Sequence, residues 1–239
     1  MAKNENKNQV ILYGRHAVIS ALKNPNRKKI KLLCTKEVAH EQKQYSPQIV
    51  ERKEIDKLLP PDSVHQGFAL ICTPLPPVDL EYIISQSENT DNCHILILDQ
   101  VTDPQNIGAI IRSAVAFNTL ALIVQDKNSP QETGSMAKSS AGLIEYLPIV
   151  RVTNLSRTIE RLKEAGFWTI GMDGYAQTTV AELKKGGKNA IIMGSEGKGM
   201  RRLVEENCDI TVRLPMNEKA ESLNVSTAAA IMLYEINKR

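Results

Sequence analysis

Residues 191–200 read IIMGSEGKGM: an apolar run that opens into three glycines, a glutamate and a lysine. Glycine-rich loops after a strand commonly cradle phosphate through backbone N–H groups. This one misses both phosphate-binding patterns. Gly197–Lys198 is followed by Gly199 rather than Ser or Thr, and Ile192 stands where a P-loop needs its first glycine. A dinucleotide fingerprint fails at Glu196 counted from Gly194, and at Arg202 counted from Gly197. A carboxylate in the middle of the loop repels phosphate. The glycines therefore suit an uncharged or cationic group close to the backbone, or a tight turn entering a helix at Arg201.

Two further stretches carry residues able to do chemistry. In LDQVTDPQNIGAIIRSAVAFN (98–118), Asp103 before Pro104 is a helix start, with Asp as N-cap and Pro in the first turn. Ile107, Ile110, Ile111, Ala114 and Val115 follow as a buried stripe. Arg112 is the only charged residue between Asp103 and Asp126. It is expected at the edge of that stripe, with no acidic neighbour in sequence, so it either snorkels or takes an anion from outside. Asn106, in the first turn, either faces a ligand or serves the helix start. In VRLPMNEKAESLNVSTAAA (212–230) an apolar strand ends at Leu214–Pro215–Met216, and Ser222–Leu223–Asn224 opens a helix. One of Ser222 and Asn224 is expected to cap it, leaving the other for a ligand.

The elements that must position these residues read as α/β. HILILD, LALIVQ, FWTIGM, NAIIMG and DITVRL are apolar strands, separated by helices at 104–118 and 155–165 and closed by a helix over 222–239. Such alternation predicts a mostly parallel, doubly wound sheet, with ligands at the carboxyl ends of its strands. The prolines of TPLPPVD and the polar residues after it mark a linker at 76–92 between domains at 1–75 and 93–239. In the first domain HAVISALKN reads as a helix stopped by Pro25, KIKLLCT and GFALICT as strands, and 38–59 as helical with a break at Pro47.

Charge is uneven. Residues 1–60 hold thirteen Lys/Arg against six Asp/Glu, so +7, while the rest of the chain nets −4. Lys23, Arg27, Lys28, Lys29 and Lys31 cluster within nine residues, which fits either a polyphosphate partner or a solvated face. One Trp, three Phe and six Tyr give little material for aromatic stacking platforms. Cys34, Cys72, Cys93 and Cys208 lack a CxxC pair and read as small buried residues in a reducing cytoplasm. No transmembrane span, secretion signal or metal-ligand spacing is expected, and His16, His40, His65 and His94 read as structural or peripheral.

In order and position, NIGAIIRSAVAF, IIMGSEGKGM and LPMNEKAESLNVS resemble the three motifs of the SpoU (TrmH) family of SPOUT-class RNA 2′-O-methyltransferases. LYGRHAVISAL and VHQGFAL look like the substrate-binding domain of the subgroup that methylates a guanosine in 23S rRNA. The resemblance implies S-adenosylmethionine as cofactor and a SPOUT-type parallel sheet with a C-terminal trefoil knot, preceded by a small ribosomal-protein-like RNA-binding domain. It also implies a homodimer and a target guanosine in the P-site loop of 23S rRNA. By position it assigns Gly194, Gly197, Leu214, Met216, Leu223 and Ile192 to the cofactor, and Arg112, Asn106, Glu196, Ser222 and Asn224 to catalysis and RNA positioning. Rival expectations are a tRNA ribose methyltransferase, an enzyme methylating a different rRNA site for self-protection, a catalytically silent RNA-binding assembly factor, and a nucleotide-binding dehydrogenase. The failed fingerprint disfavours the last.

Overall fold

The computed structural model describes residues 8–184, 186–217 and 219–238. The first seven residues and the last residue of the expected closing helix lie outside them. The chain forms two compact units, one of residues up to Pro76 with Gln131–Glu145, the other of Pro77–Pro130 with Tyr146 onward.

The first unit has a four-stranded sheet in the order β1 (Val10–Tyr13), β4 (Phe68–Cys72), β2 (Lys29–Cys34), β3 (Gln48–Ile49). β4 runs antiparallel to both neighbours, and β3 pairs parallel with only Leu33 and Cys34. Helix α1 (Arg15–Lys23) buries Ala17, Val18, Ala21 and Leu22, one face at helical spacing. The region 38–59 is not one interrupted helix. It is a 3-10 segment (Ala39–Tyr45), β3, and a short α2 (Arg52–Asp56) held by a Glu51/Glu54 capping box. His65 is fully buried. Its Nδ1 accepts the Gly67 N–H at 3.1 Å, and its Nε2 lies 3.1 Å from Asp56 Oδ1.

The excursion Gln131–Glu145 packs onto this unit through α5 (Gly134–Ser139). A Cβ on Gly134 would stand 2.3 Å from the Ile11 carbonyl oxygen, and one on Gly142 would stand 2.7 Å from that of His16, so only glycine permits the approach. Arg27 completes the seam. Its fully buried guanidinium donates to Glu145 at 2.5 and 3.2 Å, to Glu132 at 2.6 Å and to the Thr73 carbonyl at 2.9 Å. Arg27 therefore leaves the expected basic surface cluster, of which Lys23, Lys28, Lys29 and Lys31 are exposed. Two carboxylates across the sequence claim it.

The second unit is a seven-stranded parallel sheet. Its order is β7 (Ile149–Val152), β6 (Ala121–Gln125), β5 (Cys93–Leu98), β10 (Lys188–Met193), β8 (Trp168–Met172), β11 (Ile210–Arg213), β9 (Thr178–Thr179). Every residue of β5 is buried, as expected of a central parallel strand covered on both faces. Its Ile95, Leu96, Ile97 and Leu98 are fully buried, and each contributes roughly 1.5–3 kcal/mol. Helices α4 (Pro104–Ala116), α6 (Leu155–Glu164), α7 (Arg202–Glu206) and α8 (Val225–Asn237) complete the unit. The stretch read as a linker holds α3 (Leu80–Ser87). Its Ile83 and Ile84 enter the core beside Ile95, Ile159 and Phe167, and its Glu81 pairs with Arg161 at 2.7 Å. A polar helix with one narrow apolar face reads in sequence as a loop.

Burial pushes the thiol of Cys34 up to about 11 and those of Cys72 and Cys208 up to about 12. Among the described residues no helix is long and apolar enough to cross a membrane.

Candidate active site

The chain order β5–β6–β7 runs outward on one side of the sheet, and β10 then inserts between β5 and β8. The carboxyl ends of β10, β8 and β11, three adjacent strands, surround a cavity of about 280 Å³. This is where an open parallel sheet offers a ligand site.

The loop after β10 is a closed turn. Ser195 N–H donates to Gly199 O at 3.0 Å, and Gly199 N–H donates back to Ser195 O at 2.9 Å. Gly197 and Gly199 take left-handed φ of 82° and 66°. Gly194 is glycine for another reason, since its Cβ would lie 2.2 Å from Gly199 C and 2.3 Å from Met200 N. Of the two expectations from sequence, ligand approach or a tight turn before Arg201, the tight turn is present, and Gly194 answers to the loop's own backbone. After the turn, Arg201 is tied to the fully buried Asp99 through its backbone N–H at 2.8 Å and its guanidinium at 2.8 Å. Asp99 sits just past β5, and its own N–H donates to Met193 O at 2.8 Å. Sequence reasoning missed it, although an aspartate closing a wholly apolar run was the visible signal.

Asn224 caps α8. Its Oδ1 accepts from Ser226 N at 2.9 Å and from Ser226 Oγ at 2.6 Å. Its Nδ2 donates to Asn106 Oδ1 at 2.9 Å and reaches Glu196 Oε2 at 3.5 Å. One side chain thus joins the start of α8, the first turn of α4 and the glycine loop. Sequence reasoning treated cap and ligand contact as alternatives, whereas the two ends of this amide serve different partners. Ser222 is the group left without a capping role, and it lines the cavity.

Of the residues singled out from sequence, Gly194, Gly197, Glu196, Leu214, Met216, Leu223 and Ser222 line the cavity. Asn106 and Asn224 stand beside it, through their bond to each other and the contact to Glu196. Ile192 does not reach it. It is fully buried in the core with Ile95 and Ile97, because side chains alternate along β10 and Met193 takes the facing position. Arg112 also lies outside the lining. It lies two turns beyond Asn106 on α4, is exposed, and holds no hydrogen bond or ion pair with another described residue. It lies one helical step from the buried Ile111 and is open to solvent, so it is available to an anion from outside.

Met172, Met193, Leu214, Met216, Leu223 and Val225 give the cavity apolar walls. Among the described residues, Asp173, Glu196, Glu205 and Glu221 stand against Lys198 and Arg213, a formal charge of −2. Such a lining disfavours a pyrophosphate and favours a ligand that is partly apolar and partly cationic. Asp173 and Tyr175, in the DGY loop after β8, and Glu221 were not picked out from sequence. A polar loop at a strand's carboxyl end was their only signal. Among the described residues no group of three or more His, Cys, Asp or Glu is placed to hold a metal.

Comparison with known proteins agrees with this geometry. The SpoU rRNA Methylase family model matches residues 94–234, and the RNA 2′-O ribose methyltransferase substrate-binding model matches residues 11–78. A putative TrmH family tRNA/rRNA methyltransferase, YacO of Bacillus subtilis, is 35% identical over 237 residues, covering 95% of this chain and 94% of that one. One from Staphylococcus saprophyticus is 39% identical over 193 residues, 80% and 77% of the two chains. Among solved structures, the SpoU methyltransferase AviRb from Streptomyces viridochromogenes, in complex with the cofactor AdoMet, matches with a TM-score of 0.82 at 25% identity, over 96% of this chain and 89% of that one. Two family models that together span most of the chain, and a relative 35% identical over nearly its full length, show that the chain belongs to the SpoU (TrmH) family of RNA 2′-O-ribose methyltransferases.

Proposed function

We propose that this chain transfers a methyl group from S-adenosylmethionine to a ribose 2′-hydroxyl of RNA, and that its target is a guanosine in the P-site loop of 23S rRNA. The observation that carries the reading is the cavity's combination of apolar walls with surplus carboxylates. That combination suits an adenine and a sulfonium together and suits no polyphosphate. Met193, Leu214, Met216 and Leu223 would wall the adenine, with Gly194 and Gly197 giving backbone approach, while Glu196 and Glu221 would favour the cation. When bound, the cofactor supplies an electrophilic methyl group.

The chain's own residues do the rest. A guanidinium stays protonated under ordinary conditions, so Arg112 is not a base. Exposed and unpaired, it holds the phosphate beside the target ribose and stabilises negative charge growing on the 2′-oxygen. The proton passes to a phosphate oxygen or to water. Asn106 spends its Oδ1 on Asn224, which leaves its Nδ2 to donate to the ribose, and Ser222 offers a hydroxyl from the cavity wall. Glu196 and Asn224 keep the loop closed over the cofactor. Orientation of this kind can account for a large part of the rate.

The position of Arg112 off the lining of its own protomer favours a homodimer in which it serves a neighbouring cavity. The trefoil threading of the C-terminal segment and a cytoplasmic location belong to the same reading. The N-terminal unit, with its substrate-binding family match, favours a large folded RNA.

The test is binding and single-turnover transfer with Arg112→Ala and Arg112→Lys. The reading expects unchanged S-adenosylmethionine affinity, transfer to 23S rRNA lost in Arg112→Ala, and weak transfer in Arg112→Lys. Transfer at the wild-type rate in Arg112→Ala would remove the proposed role. Label entering tRNA alone would keep the chemistry and overturn the substrate.

A further inference from the structure

The N-terminal unit holds a second cavity, of about 290 Å³, which the chemistry above does not use. Its floor is Leu22, Leu32 and Leu70, all buried. Lys29 and Lys31 stand at its rim with Tyr45 and Gln48. β3 pairs only with Leu33 and Cys34, so the preceding residues of β2 have no strand partner on that side. The pairing with β4 slips between Lys29 and Lys31, and Ile30 is 46% exposed there. Tyr45 is 37% exposed, and the chain turns just after it through a left-handed Ser46 (φ 48°). No carboxylate among the described residues lines the cavity. Lys29 Nζ donates to the Asn24 carbonyl at 2.5 Å, and neither rim lysine has an ion pair among the described residues.

We infer that this cavity seats one unpaired nucleotide of the RNA substrate, with its base against Tyr45 over the leucine floor and its phosphates on Lys29 and Lys31. The inference rests on the reading that RNA is the substrate. Each part of the cavity matches one part of a nucleotide. The apolar floor and the ring suit a planar base, and aromatic side chains hold unstacked bases in this way. Gln48 and the open strand edge offer donors and acceptors to the base edge. Two unpaired lysines suit a phosphodiester. An acidic peptide would satisfy the lysines but has nothing planar to fill the apolar chamber.

The test is filter binding of the full-length protein to 23S rRNA across a salt titration, with Lys29→Gln/Lys31→Gln, Tyr45→Ala and Tyr45→Phe. These side chains are exposed, so the variants should keep the melting temperature and the S-adenosylmethionine affinity of the wild type. The double lysine variant should lower the log–log salt slope by about 1.4, at about 0.7 per phosphate contact on single strands. Tyr45→Ala should weaken binding about fivefold or more, and Tyr45→Phe, which keeps the stacking face, should stay near wild type. Unchanged slope and affinity in the variants, with a wild type that binds, would overturn this inference alone. A wild type that does not bind RNA would overturn it together with the proposed function. Poly-glutamate competing as well as RNA would assign the cavity to a protein partner, and free guanosine monophosphate competing at micromolar concentration would assign it to a small ligand. Either result overturns the inference.

Discussion

Gly194→Ala isolates what the glycine loop does. Gly194 does not have a left-handed φ, so alanine is locally allowed and the whole cost is collision. Its Cβ would stand 2.2 Å from Gly199 C, 2.3 Å from Met200 N and 2.5 Å from Gly199 O, where ordinary contact begins near 3.4 Å. All three atoms are backbone, so the turn must open by more than 1 Å. Opening breaks the two Ser195–Gly199 hydrogen bonds, each worth about 1 kcal/mol net. A cofactor that needs the closed turn must restore about 2 kcal/mol, which lowers its affinity roughly thirtyfold. Gly197 supplies the contrast. Nothing lies within 4 Å of a Cβ there, and its φ of 82° costs a non-glycine about 1–2 kcal/mol, less for asparagine. Titration calorimetry with S-adenosylmethionine should therefore rank Gly197→Asn near wild type and Gly194→Asn as poor as Gly194→Ala. Gly194→Ala binding within about threefold of wild type would refute the argument that turn closure holds the ligand.

Asn224→Ala should cost about 1 kcal/mol in urea unfolding, as a lost N-cap, and at least about tenfold in turnover. Asn224→Ser should regain the stability but not the turnover, because serine restores the cap and not the donor to Asn106. Arg27→Met strands Glu132 and Glu145 together in the interior and should destabilise by about 3–5 kcal/mol, and adding Glu132→Gln and Glu145→Gln should recover most of that loss. His65 and His94 are both buried, and burial holds the pKa of each below the ordinary histidine value. Their stabilising contribution is complete above the unfolded pKa of about 6.5 and falls away as pH drops from there toward the depressed folded values. Unfolding free energies from urea titrations should therefore decline between pH 7 and pH 5, by at most about 1.4 kcal/mol per pH unit for each histidine, with a shallower decline in His94→Gln.

The alternating apolar runs announced the parallel sheet, since the strands around the cavity of about 280 Å³ are short hydrophobic stretches ending in loops. β7 (IVRV) was not read from sequence, although β11 (ITVR), equally short and also carrying an arginine, was. The excursion 131–145 escaped because its causes are distant in sequence. Gly134 and Gly142 fit only against β1 and α1, and Arg27 finds its carboxylates 105 and 118 residues away. The site itself was legible as motifs but not as connections. Nothing local shows that Asn224 reaches Asn106 across 118 residues, or that Asp99 clamps Arg201 across 102. Local reading also misplaced Ile192, whose direction depends on strand register.

The central claim is methyl transfer to a ribose oxygen. The direct measurement incubates the protein with labelled S-adenosylmethionine and either 23S rRNA or tRNA, digests the RNA to nucleosides and separates them chromatographically. The account predicts label from 23S rRNA co-eluting with 2′-O-methylguanosine and absent with Arg112→Ala. Label on a base, or no label in either RNA from a protein that binds the cofactor tightly, would contradict it.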